Sequence, residues 1–126
     1  MIQVWKTPTC GCCSAWAEHL SNAGFDVAAT NVDQRELEQI KDRLLVPQRL
    51  RSCHTATIGG YVIEGHVPAK DIELLATLKP EISGIAVPGM PIGSPGMEMG
   101  GQTEPYATYA FDKTGPTAIF ARHGGT

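Results

Sequence analysis

Three of the four cysteines fall within four consecutive residues, Cys10-Gly11-Cys12-Cys13, and the fourth is Cys53. A disulfide scaffold spreads its cysteines so that bridges tie distant loops together. Thiols packed this closely cannot do that, so the fold must rest on a buried apolar core and the cluster is left for chemistry. The composition allows such a core: 42% of the 126 residues are hydrophobic and 18% charged, outside the range of disordered chains. The length is that of one domain. With a net charge of −3 and its 10 Lys and Arg scattered, the chain lacks the basic stripe of a nucleic-acid binder. No apolar run approaches the ~20 residues of a membrane helix. Met1-Ile2-Gln3-Val4-Trp5 has neither the basic nor the apolar region of a secretory signal. That leaves a cytoplasmic protein, or one whose signal has already been removed.

The apolar spacing predicts alternating strands and helices. Ile2 to Trp5 reads as a first strand. A helix follows from Cys13 to Ala23, with Ala15, Trp16 and Leu20 on its inner face and Gly24 as its stop. Phe25 to Asn31 reads as a second strand. Asp33 is the expected N-cap of a helix to about Leu45, with Leu37, Ile40, Leu44 and Leu45 on one face, ended by Pro47. Thr55 to Ile58, Gly59-Gly60 and Tyr61 to Glu64 predict a hairpin. Pro68 opens a helix from Ala69 to Leu78, with Ile72, Leu75 and Leu78 inward, and Pro80 stops it. Between Gly84 and Gly101 lie six of the 14 glycines and three of the nine prolines, which predicts one long loop without regular structure. Tyr106 to Phe111 and Thr117 to Phe120 suggest a closing hairpin, and the tail from Arg122 is expected to be mobile.

Cys10 and Cys13 stand in C-x-x-C spacing where a strand turns into a helix. Backbone N–H groups and the macrodipole at a helix start favour thiolate, which is both a redox nucleophile and a soft-metal ligand. Two cysteines suffice for disulfide exchange, and Cys12 adds a third sulfur that invites metal. A Cys12–Cys13 bridge would be strained, so thiolates shared by metal are favoured over an ordinary disulfide.

Trp5-Lys-Thr-Pro-Thr-Cys10-Gly-Cys12-Cys13 resembles a thioredoxin-type active site with an altered middle. From Val4 to about Met99 the chain resembles the CopG-like copper-resistance family, recognised by its C-x-C-C motif. Ser52-Cys53-His54-Thr55, Gly65-His66-Val67-Pro68, Gly89-Met90-Pro91 and Pro95-Gly96-Met97-Glu98 add to the likeness. The resemblance implies an α/β, thioredoxin-like domain whose central mixed sheet is flanked by helices. Residues 1–83 would be its core, and residues 84–126 a Gly/Pro/Met-rich extension packed on that core and contributing to the metal site. It also implies a copper-binding protein that cycles Cu(I) and Cu(II), with a periplasmic home. Copper efflux or resistance proteins are the implied partners, and the protein would be a monomer off the membrane.

A thioredoxin-like fold brings the cysteine loop, the Ser52-Cys53-His54 loop and the Gly65-His66-Val67-Pro68 loop to one end of the sheet. Thioredoxins carry a cis-proline in the second of these; here Cys53-His54 stands in that place, which disfavours a general disulfide reductase. The expected ligands are Cys10, Cys12, Cys13, Cys53, His66 and Met97, with His54 and Met90 as further candidates; Cys10 and Cys13 are the redox-active pair. Neighbours on an extended stretch face opposite ways, so His54 should turn from the site if Cys53 faces it. His19 and His123 read as bystanders, Met1 as core filling and Met99 as packing or solvent-facing. Glu98 is a candidate to orient a histidine. Four sulfurs with further His or Met donors exceed what one Cu(I) takes, which predicts sulfurs bridging several copper ions. The rivals are a non-catalytic copper chaperone or buffer, a metal-free thiol–disulfide oxidoreductase working through Cys10 and Cys13, and a structural zinc site. The last normally uses two separated ligand pairs.

Overall fold

The computed structural model describes residues 1–98 and 103–123. Its elements run β1 (Ile2–Lys6), α1 (Gly11–Asn22), β2 (Val27–Asn31), α2 (Gln34–Arg43), β3 (Thr55–Ile58), β4 (Tyr61–Gly65), α3 (Ala69–Leu78), β5 (Gly84–Val87), β6 (Tyr106–Asp112) and β7 (Gly115–His123). One mixed sheet takes the order β2-β1-β3-β4-β5-β6-β7. β1 and β2 are parallel, β3 lies antiparallel to both β1 and β4, and β4 and β5 are parallel. The expected α/β, thioredoxin-like arrangement is met.

Alternation along the strands divides the core between the sheet's two faces. Ile2, Val4, Ala56, Ile63 and Ile85 pack with Trp16 and Leu20 of α1 and with Ile72 and Leu75 of α3. Val62, Ala86 and Phe111 face the other way, toward the chain that leaves α2 at Val46 and Leu50. Asp33 caps α2, its carboxylate accepting the Glu36 N–H at 2.8 Å, a contact worth about 1 kcal/mol. The Gly59-Gly60 turn has φ of 51° and 87°, the left-handed pair that a two-residue hairpin needs.

Five details depart from the sequence reading. Gly84–Val87 is not loop but a fully buried strand. Four residues of Gly-Ile-Ala-Val need only one exposed edge of β4 to pair with, and the glycine there lies against the Val62 carbonyl. Leu78, at 60% exposed, faces solvent, as does Leu45 at 55%, because α2 ends at Arg43 and the chain turns through a positive φ at Leu45. The chain through Arg122 and His123 is not a mobile tail: it is the end of β7, paired with Ala107 and Tyr106. Met1, 70% exposed, fills no core. Met99 lies outside the described residues.

Candidate metal centre

α1 begins where β1 ends, and the turn between them presents the sulfurs. Cys10 is the N-cap residue of α1, with Cys12 and Cys13 in its first turn. No acidic side chain occupies that turn, so the positive end of the helix is directed at the thiols alone. Cys13 is fully buried, while Cys10, Cys12 and Cys53 are partly accessible. The structure joins Cys10 to Cys13 in a disulfide and leaves Cys12 and Cys53 as free thiols. The expected preference for thiolates over an ordinary bridge is therefore not met in this state. The C-x-x-C pair is spaced by one helical turn and closes without involving Cys12.

The sulfurs converge even so. Cys12 Sγ lies 3.4 Å from Cys10 Sγ and 3.8 Å from Cys53 Sγ, although residues 12 and 53 are far apart in the chain. Cys10, Cys12, Cys13 and Cys53 form one group whose ligand atoms lie within 4.8 Å of one another. Cys53, His54 and His66 form a second such group. Cys53 belongs to both.

The two histidines are held in complementary tautomers. His54 Nε2 lies 2.8 Å from the Gly65 carbonyl, so that nitrogen carries the proton and donates it. Its Nδ1 lone pair is then left facing Cys53 Sγ at 3.5 Å. His66 is the mirror case: Nδ1–H donates to the Pro95 carbonyl at 2.7 Å and Nε2 faces Cys53 Sγ at 3.2 Å. A carbonyl that fixes one ring nitrogen as donor readies the other to ligate. Trp16 backs the His54 ring, its own ring lying 4.3 Å away and tilted by 34°, and its Nε1–H donates to the Val67 carbonyl at 2.8 Å.

Burial shifts Cys53, His54 and His66. It pushes the Cys53 thiol up to about 12, and the neighbouring Cys12 adds to the rise. Burial, and secondarily the charge of His66, pulls His54 down to about 3; burial also lowers His66. Both imidazoles are therefore neutral near pH 7, with lone pairs available.

His54 also makes a stability prediction. A histidine at about 3 in the folded state and at 6.5 unfolded binds more protons when unfolded, so stability is full above pH 6.5 and falls as the pH drops toward 3. Metal-free protein is expected to lose about 2–3 kcal/mol of urea-unfolding free energy between pH 7.5 and pH 4.5 from this residue. His54→Gln should flatten that slope; an equally steep slope in the variant would contradict the assignment.

Several contacts differ from the sequence reading. His54 does not turn away when Cys53 faces the cluster, because strand geometry starts only at Thr55 and strict alternation does not reach residue 54. The thioether that meets the sulfurs is that of Met90, whose Sδ lies 3.8 Å from Cys12 Sγ. Met97 is half-buried, and its backbone closes the turn with Gly93 and Ser94. Pro95, not Glu98, orients His66; the Glu98 carboxylate accepts the Gly96 N–H at 3.0 Å. Gly96 holds this loop close: a Cβ there would sit 2.6 Å from the Cys12 carbonyl and 3.1 Å from His66 Nδ1. His19 and His123 do structural work, His19 accepting the Ala69 N–H at the start of α3 and His123 pairing with Asp71 at 2.7 Å.

Once the Cys10–Cys13 bridge is reduced, four thiols, two lone-pair imidazole nitrogens and a thioether make a soft donor set, the chemistry that holds Cu(I) and tolerates Cu(II) through nitrogen. Residues 50–97 match the model of a family described as proteins of unknown function, DUF411. No curated protein matches the chain. Two solved structures do. One, a copper resistance protein CopG in form 1, is 41% identical over 98% of this chain and 97% of its own, with a TM-score of 0.91. The other, the same protein in form 2, is 40% identical over 98% and 97%, with a TM-score of 0.88. At that identity over nearly the whole length, the chain belongs to the CopG-like copper-resistance family.

Proposed function

We propose that this protein is a copper oxidoreductase of copper resistance, with copper ions as its substrate. Cys53 carries the reading, because it is shared between the sulfur group and the histidine group. A thiolate shared by two ligand sets bridges ions, so the site takes more than one copper. In the reduced protein Cys10, Cys12, Cys13 and Cys53 hold Cu(I), with Met90 as the thioether donor from the segment after residue 83. His66 and His54 supply the nitrogen that Cu(II) prefers. In this division residues 1–83 carry the thiols and imidazoles, and the segment after residue 83 contributes Met90 and the Pro95 carbonyl that orients His66.

The Cys10–Cys13 pair supplies the electrons. Two Cu(II) ions take one electron each from the reduced pair; the S–S bond forms, two Cu(I) ions result and any thiol protons leave to solvent. Cys10 and Cys13 act as the redox couple, while Cys12 and Cys53, free in the oxidised state, keep a hold on copper. Membership of the CopG-like copper-resistance family supports a periplasmic location. Among the described residues no helix is long and apolar enough to cross a membrane. Copper efflux or resistance proteins are the natural recipients of the Cu(I) formed.

The test is a single turnover. Fully reduced protein, freed of reductant and mixed anaerobically with excess Cu(II), should yield two chelator-trapped Cu(I) ions per chain. One Cys10–Cys13 disulfide should be found by peptide mapping. Cu(I) capture without disulfide formation would leave a chaperone or buffer. Reduction of glutathione disulfide that persists with a copper chelator present would favour the metal-free thiol–disulfide enzyme.

A further inference from the structure

Behind the sulfurs, on the face of the sheet opposite α1, two charges are buried where no copper ligand needs them. Lys41 of α2 and Glu64 of β4 are both wholly inaccessible and 2.8 Å apart. Withdrawing two charges from water costs several kcal/mol per ion, and apolar side chains of similar volume often serve the fold as well or better. Glu64 Oε1, moreover, accepts no hydrogen bond among the described residues. Packing alone does not account for this pair.

Its remaining bonds converge on one residue. The Ser52 N–H donates to Glu64 Oε2 at 2.8 Å, and the Ser52 carbonyl accepts from Lys41 Nζ. The peptide groups on both sides of Ser52 are thus each fixed by a buried charge. The Ser52 hydroxyl donates to the Gly89 carbonyl at 2.5 Å. Ser52 immediately precedes Cys53, and Gly89 immediately precedes Met90. Both of those residues reach Cys12, at 3.8 Å in each case. Residue 52 also packs where Gly65 passes, close enough that a Cβ on Gly65 would lie 2.8 Å from Ser52 Cβ. Gly65 in turn supplies the carbonyl that fixes His54.

We propose that Lys41 and Glu64 are positioning residues, clamping the Ser52 backbone so that Cys53, and Met90 through the Ser52 hydroxyl, stand against Cys12 before copper arrives. The proposal rests on the copper reading above. Orienting a ligand in advance removes an ordering cost from binding. Partners one step behind the ligands typically change metal affinity ~10–100-fold when lost.

The decisive variant replaces both charges, Lys41→Met with Glu64→Leu, because an apolar pair restores the packing without the clamp. Glu64→Gln is its single-site companion. In reduced protein the double variant should keep its urea midpoint yet bind Cu(I) ~10–100-fold more weakly by chelator competition. In a Cys53→Ser background the same replacements should cost only about two- to threefold, because the Cys53 arm of the clamp is gone and only the weaker Met90 arm is left to lose. A second readout needs no copper: the rate at which Cys53 is alkylated in metal-free protein, resolved from Cys12 by peptide mapping, should rise at least severalfold. Equal losses in both backgrounds, or an unchanged alkylation rate, would overturn the proposal. A wild-type protein that bound no copper while the double variant still freed Cys53 would sink the copper reading and leave the positioning role standing.

Discussion

Protein with its Cys10–Cys13 disulfide intact is expected to bind Cu(I) about a thousandfold or more weakly than the fully reduced chain. Structural zinc sites with four ligands are worth roughly 10–16 kcal/mol, or about 3 kcal/mol per ligand, which sets the scale for thiolate ligation here. The disulfide withdraws two of the four thiolates at once, a cost of about 6 kcal/mol and up to ~10⁴-fold in affinity. What remains in the oxidised state is Cys12 and Cys53, 3.8 Å apart, beside Met90 and the two imidazoles. The sulfurs are already gathered, so reduction restores ligands without a large rearrangement of the backbone. Competition with a Cu(I) chelator, run on both redox states after reductant is removed, gives the ratio. Equal affinity in the two states would mean that Cys10 and Cys13 are not ligands.

The second large effect is expected at Cys53. Serine in its place keeps the size and loses the soft anion, since a hydroxyl stays protonated where a thiol can yield its proton to metal. Loss of one ligand alone costs about 3 kcal/mol, roughly a hundredfold in affinity. Because Cys53 is shared between the sulfur group and His54 and His66, its removal separates the nitrogen donors from the sulfurs. Cys53→Ser should therefore also lower the number of copper ions held per chain and remove any His-dependent signature of bound Cu(II). Met90→Leu, which deletes a neutral thioether at the rim, should cost less than Cys53→Ser. Full copper loading in Cys53→Ser would contradict the bridging role. Binding by Cys53 must also displace a proton from a thiol raised to about 12, so apparent Cu(I) affinity should increase with pH across the neutral range.

The sheet and helices were legible because each is a local pattern closed by a local signal. Asp33 caps α2 as its position promised, Gly59-Gly60 makes the hairpin turn, and α3 spans Ala69–Leu78 between its two prolines. The strand Gly84–Val87 was hidden because its identity is set by the free edge of β4, a partner no window around residue 84 contains. At the site, the three clustered cysteines were plain in the chain, and the place of Cys53 followed from the family resemblance. The contacts that prepare the ligands were not legible. The carbonyls of Gly65 and Pro95 that set the two imidazole tautomers are backbone groups, and backbone has no letter of its own. Lys41 reads as one more charge on a solvated helix until Glu64, more than twenty residues away, buries it. Met90 rather than Met97 meets Cys12 because the Ser52–Gly89 bond fixes where that loop begins, a long-range contact that spacing does not encode.

Anomalous diffraction at the copper edge, from crystals of reduced protein loaded anaerobically with Cu(I), tests the shared-sulfur account most directly. The prediction is at least two copper ions within bonding distance of the Cys53 sulfur, one of them also reached by His66 Nε2. A single copper confined to Cys10, Cys12 and Cys13, with Cys53 bare, would contradict it.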